Sequence, residues 1–129
     1  MYTDSHCHLS FPELVAQLPD IRQKMQEAKV TRALCICTTM EEFDNVHALA
    51  THYDNFWSTV GVHPDNEAIY EPSVADLVQK ANLPRVVAVG ETGLDYYQME
   101  ERKGGRTIQD MEWQRDRFRT HIRAARAVN

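Results

Sequence analysis

Apolar and polar positions along the chain alternate between two periods. Tyr2 to His8 leads in as a short strand. Ile21, Met25, Ala28 and Val30 then follow helical spacing, with Pro19-Asp20 marking the start. Ala33-Leu34-Cys35-Ile36-Cys37 is a continuous apolar run, too short for a helix and suited to a strand buried on both faces. Thr38 or Thr39 is placed to cap a second helix, with Glu41 and Glu42 in its first turn and Phe43, Val46, Leu49, Ala50 and Tyr53 along it. Phe56 to His63 reads as a third strand, stopped by Pro64. Pro72-Ser73 precedes a helix bearing Val74, Leu77, Val78 and Ala81, and Val86 to Glu91 is a fourth strand. After a polar loop with Gly104-Gly105, a long helix runs from about Asp110 to Val128, with Met111, Gln114, Phe118, Ile122 and Ala125 on one face. Four βα units in succession predict an α/β fold with a parallel sheet and helices packed against it.

Composition changes this picture little. The chain has 129 residues, enough for one domain, with 43% hydrophobic and 26% charged residues. No apolar run approaches the roughly 20 residues needed to span a bilayer. The N-terminus lacks the features of a signal peptide, so the expected compartment is the cytoplasm, with no membrane association. Cys7, Cys35 and Cys37 contain no C-x-x-C pair, which argues against a disulfide framework and for small buried side chains. The net charge of −5 is uneven. Residues 1–95 hold six Lys/Arg against fourteen Asp/Glu, and residues 96–129 hold eight against five. An acidic body argues against non-specific nucleic-acid binding. The basic C-terminal stretch fits a solvated helix face at least as well as a phosphate-facing one.

The residues with chemistry fall at strand ends. His6 and His8 are two apart on a strand, so both imidazoles project to one face, where neutral imidazole is a good transition-metal ligand. Asp4 and Ser5 beside them are candidates to hydrogen-bond those ligands from behind. Glu91 follows the buried run Val86 to Gly90, at the strand end where parallel βα folds bind ligands. His63 ends another strand. It is a candidate for metal, for a substrate phosphate or for a hydrogen-bonded structural role. Asp95 is placed to orient a ligand or to cap its own loop, and the structural role is favoured. His47, His52 and His121 lie on helices and are expected to be surface or packing residues.

Asp4-Ser5-His6-Cys7-His8-Leu9, Gly61-Val62-His63-Pro64 and Gly90-Glu91-Thr92-Gly93-Leu94-Asp95-Tyr96-Tyr97 resemble, in order and spacing, the TatD family of metal-dependent hydrolases. The third block is the most specific. The likeness extends over essentially the whole chain but only about the first half of a family member. The resemblance implies a TIM-type (β/α) barrel of the amidohydrolase kind, of which residues 1–129 are the N-terminal half of one domain, ending before the fifth strand. It implies one or two divalent metal ions per site (Zn, Mg or Mn) and hydrolysis of phosphodiester bonds, in DNA or another phosphodiester substrate. His6 and His8 would bind the first metal, Glu91 would bind or bridge both, and His63 would lie at the substrate end. Asp4 and Asp95 would stand behind the ligands. The family's two further histidines and its late aspartate have no counterpart here, so no residue deprotonating the attacking water is expected within the chain. The expectation is a fragment that does not fold to a stable, active monomer alone, and no obligate protein partner is evident. Two other readings compete: an amidohydrolase or phosphoesterase acting on a small molecule, and an inactive, non-enzymatic fragment.

Overall fold

The structure, a computed structural model, describes residues 1–128. Its strands are β1 (Tyr2–Cys7), β2 (Val30–Cys35), β3 (Phe56–Val60) and β4 (Val86–Val89). Its helices are α1 (Pro12–Val15), α2 (Leu18–Glu27), α3 (Phe43–His52), α4 (Val74–Ala81) and α5 (Glu112–Ala127). The sheet runs β1-β2-β3-β4 with every neighbour parallel. This is the α/β architecture that the alternating periods predict, as four consecutive units of a barrel-type sheet.

The core lies between the sheet and its helices. Ala33, Cys35 and Cys37 from the β2 region, with Phe56 and Val60 from β3, meet Leu18, Phe43, Val46, Leu77 and Ala124. Burying the larger of these, Phe43, Phe56, Val46, Val60, Leu18 and Leu77, contributes roughly 1.5–3 kcal/mol each. The other sheet face is more open than continuous apolar strands suggest. Val87 is exposed, and with Thr3, Arg32, Leu34 and Trp57 it lines a cavity of about 290 Å³.

Several element boundaries differ from the hydropathy reading. Val30 begins β2 and does not extend the preceding helix, which ends at Glu27. Helix α3 starts at Phe43 because Glu41 and Glu42 lie in the turn before it. There the Thr39 hydroxyl accepts the Glu42 N–H at 3.2 Å, and the Glu42 carboxylate accepts from the Thr38 hydroxyl at 2.7 Å. The third and fourth strands are shorter than their apolar runs, ending at Val60 and Val89, so His63 and Glu91 stand in the loops just beyond. Helix α4 has a full capping box: Ser73 and Asp76 exchange side-chain-to-backbone bonds at its N-terminus.

The largest correction concerns α5. Its buried residues are Gln114, Arg117, His121 and Ala124, while Ile122 is exposed and so is Ala125. The contact face is rotated from the apolar stripe. Arg117 belongs to the interior because Glu71 and two backbone carbonyls satisfy its guanidinium. Two of the remaining basic side chains are paired along the helix: Arg115 with Glu112, and Arg119 with Glu112 and Asp116.

Candidate metal centre

His6, at the end of β1, and His8, just past it, converge on Glu91, two residues past β4. One ligand atom from each can be chosen so that all three lie within 4.8 Å of one another. His6 Nε2 is 3.4 Å from Glu91 Oε2, and His8 Nε2 is 3.9 Å from the same oxygen. Donors about 2.1 Å from a zinc-sized ion at tetrahedral angles lie about 3.4 Å apart, so the spacing and donor chemistry fit a divalent cation.

Neighbouring bonds fix what each ring offers. His8 Nδ1 lies 3.3 Å from the Ile36 carbonyl oxygen. A carbonyl only accepts, so Nδ1 carries the proton and Nε2 is left as a lone pair facing Glu91. Phe11 stacks on the same ring at 5.0 Å with a 12° interplanar angle. His63 is arranged in the opposite sense. Its Nδ1 accepts the Asp65 backbone N–H at 3.1 Å, so the neutral ring carries its proton on Nε2, 3.6 Å from Glu91 Oε1. His8 therefore presents a ligand and His63 a donor. His6 meets His8 edge-on at 5.1 Å, and its side chain is 52% exposed.

The backbone beneath Glu91 is tightly defined. Its N–H donates to the Cys37 carbonyl at 2.9 Å, and the Gly90 N–H donates to Val60 at 2.8 Å. Gly61 packs directly on this segment. A Cβ there would lie 2.6 Å from Gly90 C and 2.9 Å from Glu91 O, so only glycine allows the loops after β3 and β4 to approach this closely.

Asp4 and Asp95 both bond to backbone. Asp4 Oδ1 accepts the His6 N–H at 3.0 Å, and Asp95 Oδ1 accepts the Tyr97 N–H at 3.0 Å, which closes a turn in its own loop. The ring of His8 is oriented instead by the Ile36 carbonyl, a group that sequence reading did not single out. His47 bonds the Pro84 carbonyl at 2.8 Å, while His52 lies edge-on to Tyr53. His121 is buried, and burial holds its imidazole below the usual histidine range.

The cysteines are core thiols. A hydrogen bond with Cys35, reinforced by burial, pushes the Cys7 thiol well above the ordinary range, and burial raises Cys37 to about 11. No helix among the described residues is long and apolar enough to cross a membrane.

The chain matches the family model described as TatD related DNase over residues 3–129. It is 35% identical over 130 residues to an uncharacterized metal-dependent hydrolase, YcfH, of Escherichia coli (strain K12), covering 98% of this chain and 45% of that protein. It is 36% identical over 78 residues to a 3'-5' ssDNA/RNA exonuclease TatD of Klebsiella pneumoniae (strain 342), covering 60% of this chain and 30% of the relative. The crystal structure of the TatD homolog YJJV from Escherichia coli K12 superposes with a TM-score of 0.80 at 28% identity, covering 98% of this chain and 47% of that one. The chain spans about half the length of the curated relatives it matches. Its strand-end histidines and glutamate thus lie within a match that runs almost from end to end, and the chain belongs to the TatD related DNase family.

Proposed function

We propose that the protein is a metal-dependent hydrolase that cleaves phosphodiester bonds of nucleic acid, and that residues 1–129 are the N-terminal half of one (β/α) barrel domain. The observation that carries this reading is the convergence of His6 and His8, from the end of β1, on Glu91, from the end of β4, with the His8 lone pair turned toward the carboxylate. His6, His8 and Glu91 would hold one divalent cation, and the two oxygens of Glu91 allow it to reach a second. When bound, such a cation supplies Lewis acidity toward phosphoryl oxygens and water.

The chain's own groups supply orientation. His8 is held in its ligand tautomer by Ile36. The His63 Nε2–H faces the same cluster and is suited to donate to a non-bridging phosphoryl oxygen, which supports a role at the substrate end. Asp4 fixes the backbone under His6, and Asp95 closes the loop that follows Glu91. The name of the Klebsiella relative supports a nucleic-acid substrate, with single-stranded ends as the first to examine.

The test is hydrolysis of a single-stranded oligonucleotide, with Mg²⁺, Mn²⁺ or Zn²⁺, by a purified version of the protein that carries both halves of the barrel. Cleavage should stop with chelator and be lost in Glu91→Ala while the thermal melt stays close to wild type. Intact oligonucleotide with all three metals, beside hydrolysis of a small phosphomonoester or amide, would replace this reading with a small-molecule one.

A further inference from the structure

Gln114, Arg117 and His121 are 0%, 4% and 1% exposed, although all three are polar. Their spacing places them in one row along α5. Each makes at least one hydrogen bond to the backbone of the loop after β3, and Gln114 also bonds the loop after β4. Gln114 Nε2 donates to the Pro64 carbonyl at 3.1 Å and to the Asp95 carbonyl at 2.8 Å, while its Oε1 accepts the Asp95 N–H at 2.8 Å. Arg117 Nη1 donates to the His63 carbonyl at 2.8 Å and the Pro64 carbonyl at 3.3 Å, and its Nε reaches both oxygens of Glu71 at 3.0 Å. His121 Nε2 accepts the Val62 N–H at 2.9 Å. Its Nδ1 must therefore donate to the Arg117 carbonyl, 2.8 Å away.

Burying an amide, a guanidinium and an imidazole in one row is costly, and apolar side chains would pack a helix onto a sheet with less penalty. The row does what apolar side chains cannot. One amide joins the loop after β3 to the loop after β4, and its two neighbours hold the backbone at Val62 and His63. Gly61, in contact with Gly90 and Glu91, carries any displacement of the first loop into the second.

We propose that the row Gln114, Arg117 and His121 is a latch that positions the metal site, with Gln114 as the residue that couples His63 to Glu91. This rests on reading His6, His8 and Glu91 as the metal ligands. The row touches neither metal nor substrate, so its members are positioning residues.

Gln114→Met keeps the side chain's length and removes every bond of its amide. The protein and this variant would be compared by thermal melting, by calorimetric titration with Mn²⁺, and by NMR of the His63 ring and of amide exchange at Glu91 and Asp95. The variant should stay folded, bind Mn²⁺ about 2- to 30-fold more weakly, the range for residues that contact no ligand themselves, and exchange faster at Glu91. A lower melting temperature with wild-type Mn²⁺ affinity and wild-type exchange at Glu91 would make Gln114 merely structural and overturn the proposal. If the wild-type protein binds no Mn²⁺, the metal reading falls. The latch is then decided by the His63 and Glu91 signals, and their constancy in Gln114→Met overturns it. Should that variant fail to fold, Glu71→Gln loosens Arg117 from an exposed position. A weakening of Mn²⁺ binding by roughly 2- to 5-fold, in keeping with a pair of which only Glu71 is exposed, supports the latch, and unchanged binding and exchange overturn it.

Discussion

Glu91 and His63 stand on loops fastened from outside the sheet, whereas His6 and His8 stand at a strand end with little behind it. Behind the first pair lie Gly61 at its limit of approach, the Cys37 carbonyl and the buried polar row of α5. Behind the second lie one carbonyl, one stacked phenyl ring and an aspartate bonded to the backbone. The difference shows which part of the candidate site is braced by the fold and which part has fewer contacts behind it. Bringing two imidazoles and a carboxylate together requires only strand ends. Fixing the angle of a carboxylate requires buried donors, whose cost the rest of the core must offset.

The comparison breaks most severely at Gly61. Gly61→Ala forces a methyl group to within 2.6 Å of the Gly90 backbone. Neither peptide can yield without moving Glu91, so we expect a loss of about 1–3 kcal/mol in stability, as for overpacking in a core, together with weaker Mn²⁺ binding. Urea denaturation beside a metal titration measures both. An alanine variant of wild-type stability and affinity would show that the two loops are not in rigid contact.

A smaller effect separates the latched half by pH. The His121 pKa is held down by burial, so the folded protein keeps this ring neutral where the unfolded chain protonates it. The unfolded state then binds more protons, and stability rises with pH. The contribution is complete above the ordinary value of 6.5 and is lost as pH falls from there through the depressed folded value. Melting temperatures measured between about pH 7 and 5 should therefore fall, and fall less steeply in His121→Gln. Parallel curves for the two proteins would remove His121 from the account.

The smallest effect is expected on the other half. Phe11→Ala removes the ring stacked on His8, an interaction of about 0.5–1.5 kcal/mol, and should weaken Mn²⁺ binding by the corresponding few-fold while leaving the melt of the α5 side unchanged. A loss as large as that from Gly61→Ala would mean that the β1 half is the better supported one.

The sequence pattern made the repeating architecture legible because the relevant signals are local. Ala33 to Cys37 and Val86 to Val89 are apolar runs too short for helices, and His6, His8 and Glu91 sit where such runs stop. The strand-end placement alone brings them to one mouth of the sheet. Other features depend on partners far along the chain. Arg117 reads as a surface residue until Glu71 and the carbonyls of His63 and Pro64 are seen around it. The orientation of His8 comes from a main-chain oxygen just past the end of β2, and no side-chain type announces a carbonyl. The start of α3 was displaced for a local reason: Thr38 and Thr39 engage Glu42 in a turn instead of capping a helix at once.

The reach of α5 back to Val62 also sets an order of events during synthesis. His121 lies 59 residues beyond the amide it accepts, and Arg117 lies 54 beyond the His63 carbonyl. Strand pairs with shorter separations can form while the chain is still emerging, but closing these longer loops must wait until α5 has left the ribosome. Glu91 and His63 are therefore made early and set late, and a nascent chain would carry both side chains for some time before it holds them at their final angle.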